Sequence, residues 1–92
     1  MSTTYKKLTA SYQLMGAGPL AVVPRSAGNI LYHIAAGAAP ADGTNDYFVH
    51  NKDTDEDSGV MNYAGTENVY ARASDSLILS ELNIEVAVVL VA

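Results

Sequence analysis

The chain has 92 residues, carries ten acidic against five basic side chains for a net charge of −5, and contains neither cysteine nor tryptophan. A length of this order makes one domain, residues 1–92, that buries only about 60 to 65% of its unfolded surface, so added stability must come from a metal or a partner subunit rather than from disulfides. The acidic balance argues against nucleic acid as a partner, because phosphate neutralisation needs a basic excess.

The opening MSTTYKK has no apolar core of the secretory kind, and no apolar run reaches the roughly eighteen residues that span a bilayer. A protein made in the cytoplasm, with no membrane partner, is the expectation. Lys6 and Lys7 are the only adjacent bases and read as solvated. Tyr5 to Thr9, continuing into Ser11 to Met15, reads as the first strand region.

GAGPLA, residues 16 to 21, imitates the dinucleotide fingerprint GxGxxA. That fingerprint works by bringing a pyrophosphate to the amino end of a helix, and the continuation VVPRSAG is strand-like and then broken by proline. Gly16, Gly18 and Pro19 therefore read as a turn, followed by a strand over Leu20 to Val23. Ile30 to Ala35 alternates clearly, with Ile30, Tyr32 and Ile34 on one face and Leu31, His33 and Ala35 on the other. Both faces carry apolar residues, which predicts a central strand. AAGAAPADG, residues 35 to 43, is alanine-rich but interrupted by Gly37 and Pro40, and reads as a loop. Asp46 to Asn51 is the next strand.

NKDTDEDSGV, residues 51 to 60, places Asp53, Asp55 and Asp57 at alternate positions, the spacing of the first ligands of a calcium loop. Counted from Asp53, the turn glycine should stand at residue 58 and the closing glutamate at residue 64, where Ser58 and Ala64 stand instead. No helix signal flanks the stretch. Asp53, Asp55 and Asp57 remain weak metal candidates, and the main reading is a hydrated hairpin tip turning at Ser58-Gly59. Asp42-Gly43 is a second dipeptide suited to a turn.

Strands follow over Gly59 to Tyr63, Asn68 to Ala73, Leu77 to Ser80 and Ile84 to Val91. The last begins as a half-buried strand, with Ile84, Val86 and Val88 inward and Asn83, Glu85 and Ala87 outward. Its end, Val88 to Val91, is apolar on both faces, and the second face needs cover from a loop, a second layer or a second chain. Strand runs separated at intervals near ten residues predict a sandwich or barrel.

Chemistry-bearing patterns are sparse. His33 and His50 stand apart without a second ligand at metal spacing, and His33 on a two-sided apolar strand reads as packed. No serine lies in GxSxG, a cysteine nucleophile is impossible, and the acids crowd into one loop rather than facing each other across a cleft. A domain this small also has little room for an enclosed pocket. These observations predict no enzyme and no cofactor. Tyr5, Tyr12, Tyr32, Tyr47, Tyr63 and Tyr70 all fall in predicted strands, where tyrosine suits half-buried sheet faces and protein interfaces alike.

YAGTENVYARAS, residues 63 to 74, followed by NIEVAVVLV, resembles the carboxyl-terminal half of small virion proteins of tailed bacteriophages; YQLMGAGPLAVV and GNILYHIAAG are similar to their amino-terminal half. The resemblance implies an all-β fold, a small antiparallel β-sandwich of jelly-roll-like form. It implies a virion structural protein made in the host cytoplasm, of the head decoration or cement type, that forms a homo-oligomer and binds the major capsid protein or a tail protein. A tail or fibre adaptor is the alternative within that class, and a calcium-dependent ligand-binding module is the alternative outside it.

Overall fold

The computed structural model describes residues 2–9, 11–25, 28–41, 44–52, 58–73 and 84–90. Within them lie eight strands: β1 Ser2–Leu8, β2 Gln13–Ala17, β3 Leu20–Pro24, β4 Asn29–Ala35, β5 Phe48–Asn51, β6 Met61–Tyr63, β7 Asn68–Ala73 and β8 Ile84–Leu90. They form two four-stranded sheets, ordered β1-β8-β3-β6 and β2-β7-β4-β5, in which every pairing is antiparallel. Pairing runs from the two ends of the chain inward: β1 with β8, β2 with β7, β3 with β6, β4 with β5. One long antiparallel ribbon has been rolled so that β8 also meets β3 and β7 also meets β4. This is the strand order of a jelly roll, and it accords with the predicted all-β sandwich.

The core lies between the sheets. Leu20, Val22, Ile84, Val86 and Val88 face it from one side, and Ile30, Tyr32, Val69, Ala71 and Ala73 from the other. Large residues sit beside small ones across the ladder: Tyr32 is opposite Ala71, and Ile30 opposite Ala73. Only a methyl-sized side chain at 71 leaves room on that face for the full phenol ring at 32.

The predicted strand from Tyr5 through Met15 is in fact two strands in different sheets. Between them the Ser11 N–H donates to Thr9 Oγ1 at 3.3 Å, and the Thr9 carbonyl accepts from Ala73 N–H at 2.8 Å. Local side-chain bonding of this kind competes with the ladder and lets the chain turn the corner between sheets. β4 is internal, as expected, with Ile30 and Tyr32 buried on the core side and Leu31 buried on the other. β5 starts at Phe48 rather than Asp46, because the Asp46 carbonyl is held by His33 Nδ1 at 2.6 Å. β8 alternates as predicted from Ile84 to Val88. It is an internal strand, and across its outward Ala87 stands Tyr5, with the Arg25 guanidinium 4.8 Å from the ring centre and ion-paired to Glu85 at 3.2 Å. The predicted strand Leu77 to Ser80, the Asp42-Gly43 turn, Asn83 and Val91 lie outside the described residues.

Ser58 and Gly59 both have positive φ, +58° and +74°, the pairing that a type I′ turn requires. The strands on either side, β5 and β6, belong to different sheets, so Ser58-Gly59 does not close a hairpin between them. A Cβ at Gly59 would lie 2.8 Å from the Asn51 carbonyl carbon and the Lys52 nitrogen. Gly59→Val combines that clash with a left-handed backbone; a loss of about 1 to 3 kcal/mol is expected in urea unfolding, whereas Ser58→Gly should leave the midpoint unchanged or raise it.

Candidate functional site

The two histidines are brought to opposite faces of one sheet. His33 lies on the outer face of β4, its side chain nearly buried, with Nδ1 donating to the Asp46 carbonyl and the Tyr12 ring packed edge-on at 6.2 Å. A carbonyl can only accept, so this bond places the proton on Nδ1. His50 lies opposite Ile30 on the core side of β5, edge-on to the rings of Tyr32 and Phe48. The expected packed role holds for His33, and the two rings cannot share a ligand.

The outer face of the β2-β7-β4-β5 sheet is covered over β7 and β4 by its own side chains, while Leu14 of β2 and Val49 of β5 remain 48% and 46% exposed at its two edges. Tyr70 Oη donates to the Gly37 carbonyl at 2.5 Å, which fastens the start of the segment after β4, while His33 fastens its end at Asp46. Arg72 lies 5.5 Å from the Tyr12 ring centre and neighbours Leu31 in the ladder. Leu31 is buried on this face.

YAGTENVYARA, the stretch that carries the phage resemblance, is used for the fold. Tyr63 Oη accepts the Glu67 N–H at 3.2 Å, and its ring lies directly on Gly65. Gly18, from the β2–β3 connection, packs so close that a Cβ there would lie 2.5 Å from the same ring and against the Gly65 carbonyl oxygen, and it donates its N–H to the Glu67 carbonyl at 3.0 Å. Val69, Ala71 and Ala73 then point into the core, and Tyr70 and Arg72 outward. GAGPLA accordingly connects β2 to β3, with a bulge between Leu14 and Gly16, and leads into a strand where a nucleotide site needs a helix.

Asp53, Asp55 and Asp57 lie outside the described residues. Among the described residues no group of three His, Asp or Glu side chains is placed to hold a metal.

What the structure does gather is apolar surface at one edge. Tyr47, Phe48 and Val49 are consecutive and 44%, 40% and 46% exposed, and they lead into or form β5, the last strand of its sheet. The other three edges are blunted: β1 carries Lys6 and Lys7, β2 is bulged, and β6 is three residues long. β5 has no bulge, proline or lysine within it. Phe48 stacks on its cross-strand neighbour Tyr32 at 5.5 Å, so one face of its ring is covered while the side chain remains partly open to solvent. Such an edge is suited to meeting another protein strand. The tyrosines thus divide: Tyr12, Tyr32 and Tyr70 are buried, and Tyr5 and Tyr47 are exposed. Periodicity could place them on strands, but only strand order tells an edge from a centre.

Set against protein-family profiles, curated proteins and solved structures, the chain finds no match in any of the three comparisons.

Tyr32 beneath this edge is fully buried, and its hydroxyl has no hydrogen-bond partner among the described residues. Burial raises its pKa by disfavouring the phenolate. The unfolded chain therefore releases this proton first, and the contribution of Tyr32 to stability, complete below the unfolded value of about 10, is lost as pH rises above it. Tyr32→Phe should leave stability at pH 7 unchanged or higher by up to about 1 kcal/mol, since no bond is broken. Melting temperatures between about pH 9 and 11 should fall less steeply for the variant than for the wild type.

Proposed function

We propose that the chain is a structural protein of a tailed-bacteriophage virion, a head decoration or cement protein that binds the shell through protein–protein contacts and has no catalytic role. The observation that carries this reading is the apolar edge at Tyr47, Phe48 and Val49, left open in a domain whose other edges are blunted. An exposed strand with aromatic side chains supplies main-chain hydrogen bonds and apolar area together, the means by which a small domain attaches to a repeating protein surface. The jelly-roll strand order agrees with the reading by analogy, since viral coat domains use it, although lectins and cupins use it as well. The resemblance over residues 63 to 74 and 83 to 91 points the same way. The protein's place is then the virion, after synthesis in the host cytoplasm.

Particles assembled from the same genome with this gene deleted provide the test. Added protein should cosediment with heads, saturate at a number set by head symmetry, and raise the temperature at which the heads release DNA. Binding to isolated tails alone would assign it as an adaptor, and indifference to both would end the virion reading. Calcium at about 1 mM should leave the melting temperature unchanged; a rise of several degrees would favour a calcium-dependent ligand-binding module.

A further inference from the structure

We propose that two copies of this chain pair through β5, antiparallel and about a two-fold axis at Val49, so that their β2-β7-β4-β5 sheets join into one sheet across the pair. In an antiparallel pairing centred on residue 49, positions equidistant from it face one another. Val49 then meets the partner's Val49, Phe48 meets the partner's His50, and Tyr47 meets the partner's Asn51. One step further, Asp46 meets the partner's Lys52. The edge is therefore self-complementary in charge. Its acid and its base stand three residues either side of the centre, and the symmetry places opposite charges together twice. The Asp46 side chain is 91% exposed, with Oδ2 4.0 Å from His33 Nδ1 of β4, and Lys52 is exposed, so the pairing requires the Asp46 carboxylate to turn from His33 toward the partner's Lys52.

Charge placement favours a second copy over a foreign strand. A strand from another protein requires no mirror relation between residues 46 and 52, whereas an isologous contact does, because each patch must fit itself. The side chains at the centre agree. Val49 sits on the outer face at 46% exposure, and a directly opposed pair of such residues brings β carbons within about 5 Å. Phe48, stacked on Tyr32 and edge-on to His50, keeps 40% of its surface exposed on this edge strand. The backbone at the start of the edge is fixed by the bond from His33 to the Asp46 carbonyl, and at its end Gly59 backs onto the Asn51–Lys52 peptide. Little ordering is then left for association to bring about.

The pairing rests on the same edge as the proposed function and places a second copy on it, with the shell then meeting the pair; it is read on the purified protein alone and head binding is read separately, so the two failures are distinguishable. Sedimentation equilibrium of the full chain should give twice the mass of 9.7 kDa, with dissociation on dilution. Val49→Lys places two ammonium groups on the axis and should weaken the dimer about a hundredfold, with circular dichroism and melting temperature of the monomer preserved because the position is exposed. Asp46→Lys alone and Lys52→Asp alone each set like charges face to face, and each should be monomeric. An equimolar mixture of those two variants should dimerise, since every facing pair is again opposite in charge. A wild type that stays monomeric up to about 1 mM overturns the proposal and leaves the edge to another partner. A dimer unaffected by Val49→Lys, or a mixture of the two charge variants that stays monomeric, overturns it equally.

Discussion

A β-strand can bury only one set of alternate side chains in a given layer, and in this chain that limit governs nearly everything else. With Val22 opposite Val88 and Tyr32 opposite Ala71, each ladder turns one uninterrupted apolar set toward the other sheet. A slip of one residue anywhere would carry that set to the solvent side and bring Glu85, His33 or Arg72 into the core. The pairings are mostly long in sequence separation, so the register of the first strand is fixed by the last. For a domain this small, with no disulfide, that mutual dependence makes folding all-or-none: no single hairpin holds enough buried area to persist alone.

Much of this was legible in the sequence because it is written in local alternation. Ile30 to Ala35, Asn68 to Ala73 and Ile84 to Val88 fall where period-two patterning places them, and Ser58-Gly59 adopts the left-handed turn its residue types favour. What alternation could not reveal is which sheet a strand joins. Thr9 to Ser11 carries no glycine or proline, so the corner between β1 and β2 reads as continuous strand; beside the local bond from Ser11 N–H to Thr9 Oγ1, the corner is held by Ala73 N–H on the Thr9 carbonyl, a contact more than sixty residues away. The same limit made the segment after Asn51 look like a hairpin, since neighbouring strands usually pair and here they part to opposite layers.

The candidate site was legible only in outline. Six tyrosines signalled either packing or contact, and the choice rests on strand order, which makes β5 terminal and β4 internal. The apolar surplus drew attention first to the end of β8, yet β8 is internal, and the outward side of Ala87 meets Tyr5 with the Arg25–Glu85 pair beside it. Open apolar surface gathers instead at Tyr47, Phe48 and Val49, where the sequence shows only a short strand between polar flanks. His33 illustrates the reverse case. Its nearly buried ring looks suited to chemistry, and its hydrogen bond to Asp46 is used to end one segment and begin the next strand.

The Tyr63 ring lies between two glycines from distant parts of the chain, Gly65 beside it in sequence and Gly18 from the β2–β3 connection. One phenol thus fills the space that two missing side chains leave, and Glu67 is bonded through both its N–H and its carbonyl at the same point. Positions 18, 63 and 65 consequently constrain one another under mutation. While the ring is present neither glycine can acquire a side chain; once it is gone Gly65 can, at the cost of an unfilled corner, whereas a Cβ at Gly18 still meets the Gly65 carbonyl oxygen. Lineages descending from this protein would be expected to exchange Tyr63 and Gly65 together and to keep Gly18 either way, and a chain with a side chain at position 18 has rebuilt the end of its sandwich where both connections cross.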